Sequence, residues 1–454
     1  MWYPTGLTLL VATQALLPKT VLGDQTPSGN TEPPPPSQDP FYLVPSFAGQ
    51  TSPGTILASR KSVSPVNVFG FVPDNIQDSH QILYRTTDQH GKPTATVMTV
   101  LVPRNANLSA VLSFQLAEDA VNLDCAPSYV MTLASLNNSL LASATAQLQV
   151  VLIQEALADG WVVVVPDFQG PTSAFANQKI AGQAILDALR ASLRSSSITG
   201  IKENAILALW GYSGGAAVTK YAAEIQPKYA RELNLAAVAF GGLFGKSTKS
   251  VKLLNKGAHA GLIPFALIGI ANENQAFQSV LNLHLRKEFK DKFYTAAHQC
   301  LDANIRTFYG ADVIGMFTCW DLCVYPSLLA TIVRYSEAPG VPDARVYWYH
   351  DVHDEVSPIS AIDDAVYDYC RHGANVRYER NLAATVNHQN YALVGAPNVL
   401  AWLKSVMTGE ISKSTCRAEN VTQSDLPAPF LNIFPLQLQQ TLLELLRKSR
   451  ESST

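Results

Sequence analysis

Leu207-Ala208-Leu209-Trp210-Gly211-Tyr212-Ser213-Gly214-Gly215-Ala216-Ala217 is the stretch on which the fold turns. The apolar run from Ala205 to Trp210 predicts a buried strand. It stops at Gly211, places Ser213 two residues on and Gly215 two after that, and passes at once into a small-residue helix. This is the order of a G-x-S-x-G nucleophile elbow. Such a turn forces the serine into a strained backbone conformation and lifts its hydroxyl above the sheet edge. Side chains at Gly211 and Gly215 would strike neighbouring backbone. The plainer alternative is a surface turn that carries a serine; its place between a buried strand and an Ala-rich helix favours the elbow.

Working outward, the same alternation of buried strand and helix recurs on both sides. Gln81 to Thr87 and Thr94 to Val102 read as strands joined by turn chemistry at Asp88-Gln89-His90-Gly91. Ala110 to Leu116 and Trp161 to Val165 follow as strands, with helices over Gln149 to Asp159 and Ala181 to Leu193. After the elbow come a strand at Leu235 to Phe240, another at Ala344 to Tyr349, a helix at Ile359 to Cys370, a strand at Ala374 to Arg380 and a helix at Tyr391 to Met407. A mostly parallel sheet covered on both faces gives this pattern, an α/β class. Between 243 and 329 the alternation lapses into helical patterns, which predicts an inserted cap. Gly241-Gly242-Leu243-Phe244-Gly245-Lys246-Ser247 is not a phosphate loop, because the place of its first glycine holds Phe240. The expected organisation is therefore a leader (1–23), a Pro-rich arm (24–40), a core in two parts (41–242 and 330–410) around the cap (243–329), and a C-terminal extension (411–454) ending in an amphipathic stretch, Leu436 to Arg447.

A serine hydroxyl becomes a useful nucleophile when a base takes its proton and a carboxylate orients that base. In an elbow fold the acid and then the base follow the serine along the chain. His388 lies in the polar loop after the last strand, where the base belongs; His372, at the end of a helix, suits a capping role. The acid belongs just beyond Tyr349, where Asp351, Asp354 and Glu355 stand; Asp354 is preferred, with Asp351 next. The backbone N–H of Gly214 supplies one oxyanion donor, and the second comes from within 117–120, with its residue open at this point. His353 beside Asp351 and Asp354 has no second ligand cluster, so no metal is expected, and no cofactor.

Composition bounds the class. At 454 residues, with 47% hydrophobic and 15% charged, the chain has ample apolar material for a large core. A net charge of −3 gives no electrostatic reason for nucleic acid or an anionic membrane as partner. Leu7 to Leu17 has the length of a signal-peptide h-region, with small residues at Val21-Leu22-Gly23 for cleavage. Sequons at Asn107, Asn137 and Asn420 and an even six cysteines agree with passage through an oxidising compartment. The segment Ala258 to Ala271 is too short to span a bilayer and carries Pro264, so no transmembrane segment is expected. From Gln25 to Pro40 the Pro-, Ser- and Thr-rich run predicts an extended, poorly packed arm.

With Gly211-Tyr212-Ser213-Gly214-Gly215, His353-Asp354-Glu355-Val356, Asp167-Phe168-Gln169-Gly170-Pro171 and Asp124-Cys125-Ala126-Pro127-Ser128-Tyr129, the chain resembles the fungal secretory lipases over about Asp39 to Trp402. The resemblance implies an α/β-hydrolase fold with a helical cap and a triad of Ser213, Asp354 and His388. It also implies Asp119 as a side-chain oxyanion donor beside Gly214, a role that needs a raised pKa. The disulfides it implies are Cys125–Cys300 and Cys370–Cys416. Cys319 and Cys323 are left over, able to pair only if their segment departs from a regular helix. Phe114-Gln115-Leu116-Ala117-Glu118 lacks the aromatic pair of the family pattern, which bears on substrate fit.

The expectation is a secreted serine ester hydrolase acting through an acyl-enzyme, with triacylglycerol the substrate the resemblance implies and a lipid–water interface as a transient contact. An apolar cap suits a long acyl chain, and the 258–271 segment either borders an acyl tunnel or is plain cap core. The alternatives are an esterase that deacetylates a secondary metabolite or other small ester, and a non-catalytic hydrolase-like binding protein.

Overall fold

Val162 to Val165 show no exposed surface at all. Each such side chain contributes about 1.5–3 kcal/mol by burial, against about 1 kcal/mol net for a ladder hydrogen bond. Burial on both faces therefore sets the central strands. A computed structural model of the chain describes residues 33–243, 248–336, 340–410 and 416–453. The leader over 1–23 and the arm as far as residue 32 lie outside the described residues.

The strands are β1 (Ile56–Lys61), β2 (Ile76–Thr87), β3 (Pro93–Pro103), β4 (Asn107–Gln115), β5 (Trp161–Pro166), β6 (Ile206–Tyr212), β7 (Leu235–Gly241), β8 (Arg345–Asp351), β9 (Val376–Asn381) and β10 (Arg417–Val421). They form one 10-stranded sheet in the order β1-β2-β3-β5-β4-β6-β7-β8-β9-β10. Pairing is antiparallel from β1 to β5 and parallel from β5 to β10. This is the mostly parallel sheet that the alternation predicts.

Successive residues of a strand face opposite sides, and here both sides are covered. Ala208, Trp210, Tyr347 and Tyr349 join a core with the Ala396–Met407 helix and the cap. Leu207, Leu209, Val346 and Trp348 join a second core with the Gln178–Leu193, Gly214–Tyr229 and Ile359–Arg371 helices. Between β7 and β8 the cap supplies helices at Thr248–Leu254, Leu262–Glu273, Gln275–His284, Leu301–Phe308 and Tyr325–Ser336. Phe265, Phe277 and Phe293 make the cap's interior continuous with the first core.

Several details differ from the sequence reading. The last part of the arm is packed: Pro36–Gln38 forms a short 3-10 turn with Pro36 buried, and the Ser37 backbone N–H and hydroxyl both donate to Asp124. The 149–159 helix begins earlier, at Ala144 behind a Ser143 cap, and is broken at Ile153. The 391–407 helix is two, His388–Val394 and Ala396–Met407, because Pro397 has no N–H for a continuous ladder. β1 and β10 have no apolar run to announce them; both are edge strands with alternating or mostly exposed residues.

Three disulfides are present. Cys125–Cys300 joins the loop after β4 to the cap, and Cys370–Cys416 joins the Ile359–Arg371 helix to the segment entering β10. Cys319–Cys323 closes around Trp320–Val324, which is wound as a wide π-type turn and not a regular α-helix, with the two Cα atoms 5.4 Å apart.

Candidate active site

β6 ends under Ser213, whose φ of +54° is rare for a residue with a side chain. The conformation is held from both sides: the Ser213 N–H donates to Gly241 O at 2.9 Å, and its carbonyl accepts from Ala216 N at 2.9 Å as the Gly214–Tyr229 helix begins. A Cβ on Gly211 would collide with the Gly215 carbonyl, and one on Gly215 with the Gln115 carbonyl. Gln115 also accepts from the Thr219 hydroxyl at 2.7 Å, which locks the end of β4 against the elbow helix.

His388 opens a helix behind an Asn387 cap. Its Nδ1 is 2.7 Å from Asp354 Oδ2, and its Nε2 is 2.8 Å from Ser213 Oγ. Asp354 accepts at Nδ1–H, so the lone pair at Nε2 faces the serine hydroxyl. The other oxygen of Asp354 accepts from Val356 N at 2.9 Å and Ser357 N at 2.7 Å. Burial pushes the Asp354 carboxyl up, but His388, His350 and the Ser357 N–H outweigh it and hold it below the usual value. Burial opposes the charged form of His388; Asp354, Glu355 and Asp119 outweigh that and raise it.

Of the three acids in the loop, the structure brings the preferred one, Asp354, to the His388 ring. Asp351 is turned away, accepting from Asn381 Nδ2 at 2.7 Å and His353 N at 2.8 Å. His372 caps its helix, with its Nδ1 2.8 Å from the Asp368 carbonyl.

The segment after β4 carries Asp119 to the elbow. Ala117 N–H donates to Gln149 Oε1 at 2.7 Å, and Asp119 itself sits at a φ of +37°. Its carboxyl lies so close over Gly214 that a Cβ there would collide with Asp119 Oδ1. Burial raises Asp119 to about 6, against the lowering effect of His388. Gly214 and Asp119 thus stand together beside Ser213.

Sequence reasoning gave no site role to Tyr212, His350 or His259, and named Glu355 only as a candidate acid. Tyr212 donates from its hydroxyl to the His388 carbonyl at 2.6 Å. Glu355 Oε2 accepts from the His388 N–H at 3.0 Å. His350 is buried, donates from Nε2 to the Ser357 carbonyl at 3.0 Å, and lies 3.7 Å from Asp354. His259 reaches in from the cap, its Nε2 4.0 Å from Glu355 Oε1. Tyr212 had a signal in its place inside the elbow motif and Glu355 in its place in the acid loop; His350 acts on near neighbours with no motif to mark it, and His259 meets Glu355 only through the fold.

Two cavities meet at Ser213 and Asp119. One, of about 240 Å³, runs between Phe168, Phe175, Leu267, Leu328 and Ile332. The other, of about 560 Å³, contains His388 and His259. Residues of the 258–271 segment line both, Leu262 among them. Pro264, in the first turn of the Leu262–Glu273 helix, costs no internal hydrogen bond. Among the described residues, the side chains close enough together to ligate a metal are His284, Cys319 and Cys323, and the two sulfurs are joined as a disulfide.

A family model described as secretory lipase matches residues 136–414, more than half of the chain. The chain belongs to the secretory lipase family. Lipase A of Arthroderma benhamiae is 37% identical to it over 425 residues, covering 93% of this chain and 90% of that one. Lipase 4 of Candida albicans is 33% identical, covering 89% of each. Candida antarctica lipase A, solved in its closed state, superposes with a TM-score of 0.77 at 26% identity, covering 92% of this chain and 96% of that one. That superposition therefore extends over nearly the whole chain. Among the described residues no helix is long and apolar enough to cross a membrane.

Proposed function

We propose that this secretory lipase family member is a secreted triacylglycerol lipase in which Ser213, His388 and Asp354 form the catalytic triad. The observation that carries the reading is the single imidazole bonded at 2.7 Å to Asp354 and at 2.8 Å to Ser213. Ser213 Oγ attacks the ester carbonyl as His388 Nε2 takes its proton; Asp354 holds the ring and favours the imidazolium. Gly214 N–H and a protonated Asp119 receive the oxyanion. His388 then gives its proton to the leaving alkoxide, the C–O bond breaks, and an acyl-enzyme remains. Water, deprotonated by His388, releases the carboxylic acid and restores Ser213.

The acyl chain takes the smaller, apolar cavity, which touches Ser213, Asp119 and Gly214 but not His388. Three disulfides and exposed side chains at Asn107, Asn137 and Asn420 support secretion and glycosylation at those sequons. Hydrolysis rates across p-nitrophenyl or glyceryl esters of two to eighteen carbons, with Ser213→Ala as control, test the reading. Long-chain preference abolished by Ser213→Ala is expected. Activity confined to acetyl esters would make the protein a small-ester deacetylase, and unchanged activity in Ser213→Ala would remove the triad.

A further inference from the structure

Proton delivery divides the two cavities. A leaving alkoxide must lie next to His388 Nε2 to be protonated, within about 3 Å. The larger cavity contains His388, and the smaller one does not. The alcohol half of the ester therefore occupies the larger cavity, and its chemistry should be legible in the polar groups there.

One of those groups is held as though for contact. His259 sits on the turn of residues 257–261, whose ends are tied to the rest of the cap. Asn304 Nδ2 donates to the Gly261 carbonyl at 2.6 Å, and Gly310 N donates to the Gly257 carbonyl at 3.0 Å. Gly261 packs so closely on the backbone at Asn304 that a Cβ would lie 2.8 Å from its carbonyl oxygen. The backbone of the turn is thereby held, and the ring Nε2 lies 4.0 Å from Glu355, which accepts the His388 N–H through its other oxygen. Among the described residues the His259 ring makes no hydrogen bond. Burial, and then the charge of His388, hold the ring below the usual histidine value, so at neutral pH it is uncharged, with one N–H and one lone pair. Tyr309 and Gln389 line the same cavity, and their side-chain polar atoms have no partner among the described residues either.

An apolar alcohol would leave these groups unsatisfied in a partly desolvated site, at a cost comparable to a lost hydrogen bond each. A hydroxyl both donates and accepts, which matches a neutral imidazole. We infer that the larger cavity is the alcohol subsite and that His259 recognises a free hydroxyl on the alcohol, as in the glycerol unit of a partial glyceride. This rests on the Ser213 reading above.

The test compares 1-monooleoylglycerol with ethyl oleate, which share one acyl chain, dispersed in the same detergent. The quantity read is the ratio of kcat/KM for the two, in the wild-type chain, His259→Phe and His259→Gln. His259→Phe should lower the ratio about tenfold, chiefly through KM for monooleoylglycerol, the scale of one hydrogen bond. His259→Gln, which keeps a donor and an acceptor, should restore most of it. An unchanged ratio in His259→Phe, whether both rates fall or neither does, overturns the inference while leaving the Ser213 reading intact. Failure of the wild-type chain to hydrolyse either ester overturns the Ser213 reading, and the alcohol subsite with it.

Discussion

Two residues with side chains at positive φ, Ser213 at +54° and Asp119 at +37°, face each other across Gly214. Strain of this kind costs about 1–3 kcal/mol per residue and persists where surrounding contacts over-determine it. Here it places a hydroxyl and a carboxyl on one small volume. A carboxyl donates to an oxyanion only when protonated, and burial moves Asp119 in that direction, to about 6. Asp119 as an anion raises His388, and His388 as a cation lowers Asp119, so the two titrate as a pair. Asp119→Ala should lower kcat by about 10²–10³, the usual loss of an oxyanion donor. Asp119→Asn keeps an N–H without needing a proton and should retain most activity. It also removes a negative charge that raises His388, so the acidic limb of its kcat/KM profile should move to lower pH. A limb that stays in place would mean that His388 does not feel Asp119.

The elements that carry the site are cross-linked unequally. By the chain-entropy account, a disulfide stabilises more as the loop it closes lengthens. Cys125–Cys300 spans 175 positions, Cys370–Cys416 spans 46 and Cys319–Cys323 spans 4. These separations correspond to about 5, 4 and 2 kcal/mol respectively. Paired Cys→Ser substitutions should therefore lower Tm in that order, read by thermal unfolding at one scan rate. Removing Cys125–Cys300 should also release the cap from the loop that leads to Asp119. A larger loss from Cys319/Cys323 than from Cys125/Cys300 would refute the loop-length ranking.

Across the whole molecule, burial of carboxyls gives stability a definite pH slope. Asp167 is raised to about 7, and Asp119 and Asp351 to about 6, in each case by burial first. An unfolded aspartate titrates near 3.9. Between about pH 4 and 7 the folded chain therefore binds more protons at these sites than the unfolded chain, and stability falls as pH rises. His388, also raised, acts in the same sense, its stabilisation being lost as pH rises through its folded pKa. His80, His259 and His350 are lowered by burial and oppose the trend as pH approaches 6.5. Asp312, lowered to about 2 chiefly by Asn255 and Lys256, stabilises above the unfolded value and loses that only in strong acid. The three strongly raised aspartates dominate the middle window. Tm at pH 5 should exceed Tm at pH 8 when measured at constant ionic strength, and the reverse order would show those aspartates to be ionised at little cost.

By itself the sequence determined the parallel core strands, the elbow, and the order of serine, acid and histidine. Those features rest on local periodicity and on steric rules that act within a few residues. Edge strands escaped it because β10, Arg417 to Val421, is mostly exposed and shows no apolar run. The sequence preferred Asp354 and kept Asp351 next, since both lie in one short loop. The choice was decided by a contact across 34 positions to His388, which then reaches across 175 positions to Ser213. The same holds for Glu355 under the His388 N–H and for His259 on its cap turn. Contacts between distant segments depend on how the sheet and cap close on one another, and no window of neighbouring residues carries that information.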